Sequence, residues 1–207
     1  MDRIERLPDA GIDNNGIVSR QFLQLGINRF LDACRYVHQL PYGYNSDRED
    51  LLILFKERFG SCTTKHAVIA SLAQELGLPV EKHIGIYAMT EAIVTGTTAI
   101  LDQFHLPYVP MVHCFLVCGT IRVDLTEGNH NGKRCPIDLF LQEEPVPANI
   151  PARDEYLRYR KAVGELLTLR QELDGIELKR ILQAREQGIA LLRSKISPIA
   201  GLQSRQP

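Results

Sequence analysis

The sequence predicts an α+β fold, because its hydrophobic periodicity changes twice along the chain. Before residue 77 and after residue 153, apolar residues recur with the 3.6-residue spacing of buried helix faces. Between residues 83 and 125 they alternate with a period of two, which is typical of strands. At 207 residues, 44% of them hydrophobic, the chain can bury a core of its own. We therefore expect a small antiparallel sheet with helical segments before and after it.

The first 60 residues predict two helices. Apolar residues between 18 and 40 lie on one helical face, and these are Leu23, Ile27, Phe30, Cys34 and Val37. A break rich in Pro and Gly follows at 41–45. A second helix is predicted to begin at Ser46 or Asp47 and to end at Gly60.

A third helix is predicted after Ser61, and it ends where Gly77 and Pro79 stop the apolar pattern. Cys62 therefore lies at a helix N-terminus. Unpaired backbone N–H groups and the helix dipole favour negative charge there, which lowers the pKa of a thiol. Gly60 permits a close turn that leaves the N–H of Cys62 free to face a substrate oxygen.

Strands are predicted at 83–87, 111–118 and 121–125, with an insertion at 88–106 that is either a short helix or extended. If residues 119–120 form the turn, the numbers of two paired residues sum to 239 and Asp124 lies diagonal to His113. If the turn is 118–119, the two residues are directly opposite. Both registers place the two side chains on one face, whereas a three-residue turn would separate them.

Three blocks of sequence, in this order, are similar to the transglutaminase-like superfamily. The first combines Gly60-Ser61-Cys62 with Ala67, Leu72 and Leu76-Gly77-Leu78-Pro79, and resembles its nucleophile helix. The second and third are His113-Cys114-Phe115 and, after Gly119, Val123-Asp124-Leu125-Thr126, and they resemble its paired strands. The resemblance is to bacterial-type members and covers roughly residues 51–126.

The resemblance implies a papain-like core in which the nucleophile helix packs on an antiparallel sheet. Cys62 would attack an amide or other acyl group, His113 would act as base and then acid, and Asp124 would fix the imidazole tautomer. It implies an amide, peptide or protein substrate and neither cofactor nor metal, and it leaves hydrolysis and acyl transfer both open. Residues 1–144 would form this catalytic domain with its N-terminal helices.

The chain has no Trp, so an indole cannot stabilise the oxyanion as in some members of that superfamily, many of which have Trp where Thr63 follows the cysteine. The N–H of Cys62 supplies one donor. Tyr42, Tyr44, Asn129 or a backbone group remain open as the second.

Residues 145–207 predict a Pro-rich link and a helical tail, with helices at 154–173 and 176–196 that pack on the core or on a partner. The mixed charges at 153–161 indicate a solvated helix face. Elsewhere, Cys34, Cys114 and Cys118 are interpreted as core residues. His66, one helical turn after Cys62, is predicted to lie beside the site or on the surface.

Composition argues against several function classes. Lys and Arg total 24 and Asp and Glu total 25, so net charge gives no reason to expect nucleic acid or an acidic membrane as partner. No run of about 18 apolar residues predicts a membrane span. Five cysteines without a C-x-x-C pair, and an N-terminus without a secretory pattern, predict a cytoplasmic protein. The oligomeric state stays open.

Three alternatives remain. An arylamine N-acetyltransferase has the same Cys-His-Asp order, but Phe59-Gly60-Ser61 replaces the expected Arg-Gly-Gly-x approach to the cysteine. A non-catalytic scaffold of the same fold would bind a protein partner through its helical tail. A metal-binding protein would use residues such as His130 and Cys135, which supply only two ligands.

Overall fold

The computed structural model describes residues 3–196 and confirms the predicted α+β class. Within this part of the chain, the seven α-helices are α1 (Ile17–Gln24), α2 (Phe30–Gln39), α3 (Ile53–Glu57), α4 (Cys62–Glu75), α5 (Thr97–Phe104), α6 (Ala152–Leu169) and α7 (Leu178–Ser194). The strands are β1 (Glu81–Met89), β2 (Val109–Cys118), β3 (Ile121–Val123) and β4 (Gln142–Val146). They form one antiparallel sheet in the order β3-β2-β1-β4.

The prediction of a single helix at 18–40 is wrong. α1 ends before Gly26, which has a φ of +75°, and α2 begins at Phe30. A left-handed glycine stops a helix, and here the N–H of Ile27 bonds back to the carbonyl of Phe22 at 2.9 Å. The predicted second helix is also shorter than expected, because α3 spans only Ile53–Glu57.

The structure shows which register the strands adopt and which elements the insertion contains. Cys118 pairs with Ile121, so residues 119–120 form the turn and paired residues sum to 239. The insertion contains the end of β1 and then α5. β4 was missed within a stretch interpreted partly as an extended link, because its Pro145 argues against a central strand. Pro145 is tolerated since β4 lies at the edge of the sheet.

Two hydrophobic clusters cover opposite faces of β2. The cluster with α1, α2 and α4 includes Leu116, whereas the one with α5, α6 and α7 includes Val109 and Met111. The tail helices α6 and α7 therefore pack on the sheet. Neither they nor any other helix within residues 3–196 is long and apolar enough to cross a membrane.

Glu75, at the end of α4, fixes the start of α1. Its carboxylate accepts hydrogen bonds from the N–H of Val18 at 3.0 Å and from the N–H and hydroxyl of buried Ser19 at 2.7 and 2.5 Å. A carboxylate at a helix N-terminus satisfies donors that have no partner within the helix. α4 is thereby anchored at its C-terminal end.

We expect Glu75→Ala to lower the free energy of unfolding by about 1–3 kcal/mol, since it leaves buried donors without an acceptor. Urea denaturation of the purified variant measures this change. Gln74→Ala, at the adjacent exposed position, serves as the control and should stay within about 0.5 kcal/mol of the original chain. Equal losses in the two variants would contradict this role of Glu75.

Candidate active site

Cys62 is the first residue of α4, as predicted. Ser61 is the N-cap, and its N–H donates to the hydroxyl of Thr64 at 3.1 Å. That hydroxyl donates to the side-chain oxygen of Asn45 at 2.7 Å, which ties the helix start to the loop before α3. The thiol is therefore held where the helix dipole favours a thiolate.

His113 and Asp124 are brought together with Cys62. Nε2 of His113 donates to Oδ2 of Asp124 at 2.7 Å, and the other carboxylate oxygen accepts the N–H and hydroxyl of Thr126 at 2.8 and 2.7 Å. Because Nε2 carries this hydrogen bond, Nδ1 is the nitrogen available for the Cys62 thiol, which lies near enough to His113 for that ring to lower the pKa of the thiol. The three predicted site residues are therefore neighbours, because His113 bonds Asp124 and lies beside Cys62.

The three groups shift one another's pKa values toward an ion pair. A hydrogen bond from Cys114 and the nearby His113 lower the pKa of Cys62 well below its usual value, against the opposing effect of burial. Burial lowers the pKa of His113, but the Asp124 carboxylate outweighs it and raises that pKa to about 9. Burial raises the pKa of Asp124, but His113 outweighs this and the pKa falls. The directions of these pKa shifts favour a thiolate, an imidazolium and a carboxylate.

Cys114 is buried, as predicted for a core residue, but it also lies close enough to Cys62 to lower the pKa of that thiol. Cys114 and His113 point to opposite faces of β2. Cys62 packs with the cluster that contains Cys114 and Ile84. Sequence alternation alone could not reveal this contact.

His66 is fully buried, which excludes the surface alternative. Its Nδ1 donates to the carbonyl of Cys62 at 2.7 Å, and its Nε2 accepts the N–H of Leu125 at 2.8 Å. Burial lowers its pKa to about 4, so the ring is neutral at physiological pH. His66 therefore links the first turn of α4 to the segment that carries Asp124.

A cleft of about 250 Å³ opens beside Cys62. Its walls come from the loop before α3, the start of α4, strands β1 and β2, and the tail helices. The residues that line it are Tyr42, Tyr44, Asn45, Ser46, Arg48, Ser61, Cys62, Thr63, Tyr87, Met111, Val112, His113, Lys133, Glu155, Arg185, Ile189, Leu192 and Arg193.

The tail contributes more to the cleft than the sequence predicted. Glu155, expected on a solvated face, is buried and pairs with Arg48 through two hydrogen bonds of 3.1 and 2.7 Å. That prediction is wrong for Glu155 because the loop before α3 covers this part of α6. α7 adds Arg185 and Arg193, whose eight-residue spacing on one helical face was the available sequence signal.

The structure reduces the set of candidates for the second oxyanion donor. The Asn129 amide donates to the carbonyls of His38 and Leu40 and is not part of the cleft. The rings of Tyr42 and Tyr44 contact each other edge to face, and both line the cleft. Tyr87 is 1% exposed and also lines the cleft, and its hydroxyl has no hydrogen-bond partner within residues 3–196. Its pKa is raised by burial and by Cys62, so it remains a donor.

Metal ligation finds no support in the described part of the chain. No group of three or more His, Cys, Asp or Glu side chains within residues 3–196 is arranged to hold a metal ion. The carboxylate and imidazole of the site are engaged with each other instead.

Gly60 positions the start of α4. It bonds to Pro41 and Gly43 through its N–H and carbonyl, at 3.1 and 3.2 Å. A Cβ there would lie 2.7 Å from the Thr64 hydroxyl and 2.9 Å from Leu54. Neither neighbour has room to move without disturbing the helix N-terminus.

We expect Gly60→Ala to lower the free energy of unfolding by about 1–3 kcal/mol through this overpacking. Chemical denaturation measures the loss. The matched control is Gly11→Ala, where a Cβ meets nothing within 4 Å. A Gly60 variant as stable as this control would show that the helix start is not tightly packed.

Comparison with known proteins assigns no family to this chain. No protein-family model matches it, and neither curated proteins nor solved structures gave a match. The function is therefore inferred from the cleft, from the arrangement of Cys62, His113 and Asp124, and from the charges around these residues.

Proposed function

We propose that the protein is a thiol acyl-transfer enzyme or amide hydrolase of the transglutaminase-like type, working through an acyl-thioester on Cys62. The observation that carries this proposal is that Cys62, at the start of α4, and His113 line the same cleft, and that Nε2 of His113 bonds Asp124 at 2.7 Å. A buried ion pair of this kind costs desolvation energy. It is the arrangement that a cysteine nucleophile requires.

In the first half-reaction, the Cys62 thiolate attacks the acyl carbon and forms a C–S bond. The electron pair of the carbonyl moves onto its oxygen. When the tetrahedral intermediate collapses, the bond to the leaving amine breaks and the His113 imidazolium gives that nitrogen its proton. The amine departs, which leaves a thioester and a neutral imidazole.

In the second half-reaction, water or an amine attacks the thioester carbon while His113 takes its proton. The C–S bond breaks, and its electron pair returns to sulfur. The products are a carboxylic acid or a new amide, together with the original thiolate and imidazolium. Asp124 stays ionised throughout and holds the imidazole by its Nε2–H.

The oxyanion is stabilised by the N–H of Cys62 at the helix N-terminus and by the hydroxyl of Tyr87. The cleft position of Tyr87 and the absence of any other partner for its hydroxyl support this role. A buried donor without an acceptor is costly in a folded protein. An oxygen that becomes negative in the transition state is a suitable acceptor.

We expect sub-stoichiometric iodoacetamide at pH 6 to label Cys62 ahead of Cys135, although Cys135 is the exposed thiol. A larger fraction of Cys62 than of an ordinary thiol is ionised at this pH, because Cys114 and His113 lower its pKa. Mass spectrometry of the digested protein locates the adduct. Above about pH 9 the paired imidazolium loses its proton, so its help to the thiolate is lost.

In the same assay, His113→Ala should slow labelling of Cys62 roughly tenfold or more, because it removes one of the two groups that lower the pKa of the thiol while Cys114 remains. Preferential labelling of Cys135, or none of Cys62, would contradict the proposal and favour the non-catalytic scaffold.

We expect Tyr87→Phe to slow the acylation of Cys62 by p-nitrophenyl acetate roughly a hundredfold, as loss of one oxyanion donor does. Release of p-nitrophenolate in the first turnover measures this step. Alkylation by iodoacetamide forms no oxyanion and should change little. Tyr108→Phe, at a buried tyrosine that bonds Glu172 away from the cleft, is the control; equal effects of the two variants on acylation would exclude this role for Tyr87.

A further inference from the structure

The cleft contains more positive charge than its own side chains neutralise. Its lining includes four cationic residues, Arg48, Lys133, Arg185 and Arg193, and one acidic residue, Glu155. Glu155 is occupied by the bidentate pair with Arg48, and Arg185 pairs with Glu186 at 2.6 Å. Within residues 3–196, neither Lys133 nor Arg193 has an acidic partner within ion-pair distance.

Lys133 is held in the cleft by the segment that also holds Asp124. Its backbone N–H donates to Oδ1 of Asn131 at 3.0 Å, and the buried Asn131 donates to the carbonyl of Thr126 at 2.9 Å. Thr126 in turn donates to Asp124. The charge of Lys133 acts on Cys62 and His113, so it lies close to the reacting atoms.

Lys133 and Arg193 each lie over a tyrosine ring. The ammonium of Lys133 is 5.9 Å from the ring centre of Tyr42, and the guanidinium carbon of Arg193 is 4.8 Å from that of Tyr44. The two rings contact each other edge to face at 6.1 Å. A ring face attracts a cation without accepting all of its N–H groups. Both cations are therefore positioned and still have donors to offer.

Arg48 adds another donor without an acceptor. Its terminal nitrogens bond Glu155, but its Nε–H is buried and has no hydrogen-bond partner in the described part of the chain. Buried donors are almost always satisfied in folded proteins. A ligand that brings negative oxygens into the cleft would supply what this donor and the two cations lack.

We propose that the cleft binds an acyl donor carrying a negatively charged group, a carboxylate or a phosphate, near the carbonyl attacked by Cys62. Lys133 and Arg193 bind that group, with the Nε–H of Arg48 as a further donor. This inference rests on the proposed function and names its substrate class. It assigns the tail helix a role in choosing the substrate.

The test compares how fast Cys62 reacts with iodoacetate and with neutral iodoacetamide, which attack the same sulfur and differ by one negative charge. Both reagents react only with the thiolate. Dividing the iodoacetate rate by the iodoacetamide rate therefore cancels any change in the ionised fraction of Cys62. We expect Lys133→Gln and Arg193→Gln each to lower this ratio by about three- to tenfold, and the effect to shrink at high salt. Lys179→Gln, at an exposed position of α7 outside the cleft, should leave the ratio unchanged.

The outcomes separate this inference from the function beneath it. If iodoacetamide does not label Cys62 selectively, the proposed function fails. If it does, but the ratio is the same in all the variants, the anion-binding proposal alone is overturned. If the ratio does fall in the two variants, glutarate and inorganic phosphate are added separately to the original protein at constant ionic strength. The anion that slows labelling by iodoacetamide is the kind that the cleft binds. If neither slows it, the cleft has no anion site and the proposal is wrong.

Discussion

The site depends on one constraint, the packing of the N-terminus of α4 against the sheet. Cys62 packs with the cluster that contains Ile84 of β1 and Cys114 of β2. This packing also brings Cys62 beside His113, which lines the same cleft. Gly60 and Glu75 anchor the two ends of the helix, so the sulfur is fixed by packing far from the reacting atoms.

Around this contact, buried polar groups form hydrogen bonds that join one residue to the next. Asp124 accepts from His113 and Thr126, and His66 joins the first turn of α4 to the chain beside Asp124. Lys82 is also buried, and it donates to the carbonyls of Thr63 and Ala148 at 3.1 Å each. Because charges in a low-dielectric interior are costly unless paired, such a network favours one geometry over its alternatives. Donors without partners are then informative, and Tyr87 and Arg48 have theirs at the cleft.

The tail helices cover one face of the sheet. The sequence predicts a link and a helical tail after residue 144, packed on the core; β4 spans Gln142–Val146, and α6 and α7 pack on the sheet. α7 also contributes the side wall of the cleft. A helix that is amphipathic in sequence reveals that it packs, but not which surface it covers or which of its charges face a cavity.

The sequence by itself determined the fold class, the helix that begins at Cys62, and the shared face of His113 and Asp124. These follow from local rules: hydrophobic period, capping residues and the parity of a two-residue turn act over a few residues. Only the tertiary structure decided that Cys62 meets Cys114, that Glu155 is buried against Arg48, and that Lys133 and Arg193 face the same cleft. Each of these contacts joins residues more than 50 positions apart, and their meeting depends on how whole elements pack, which no local pattern encodes.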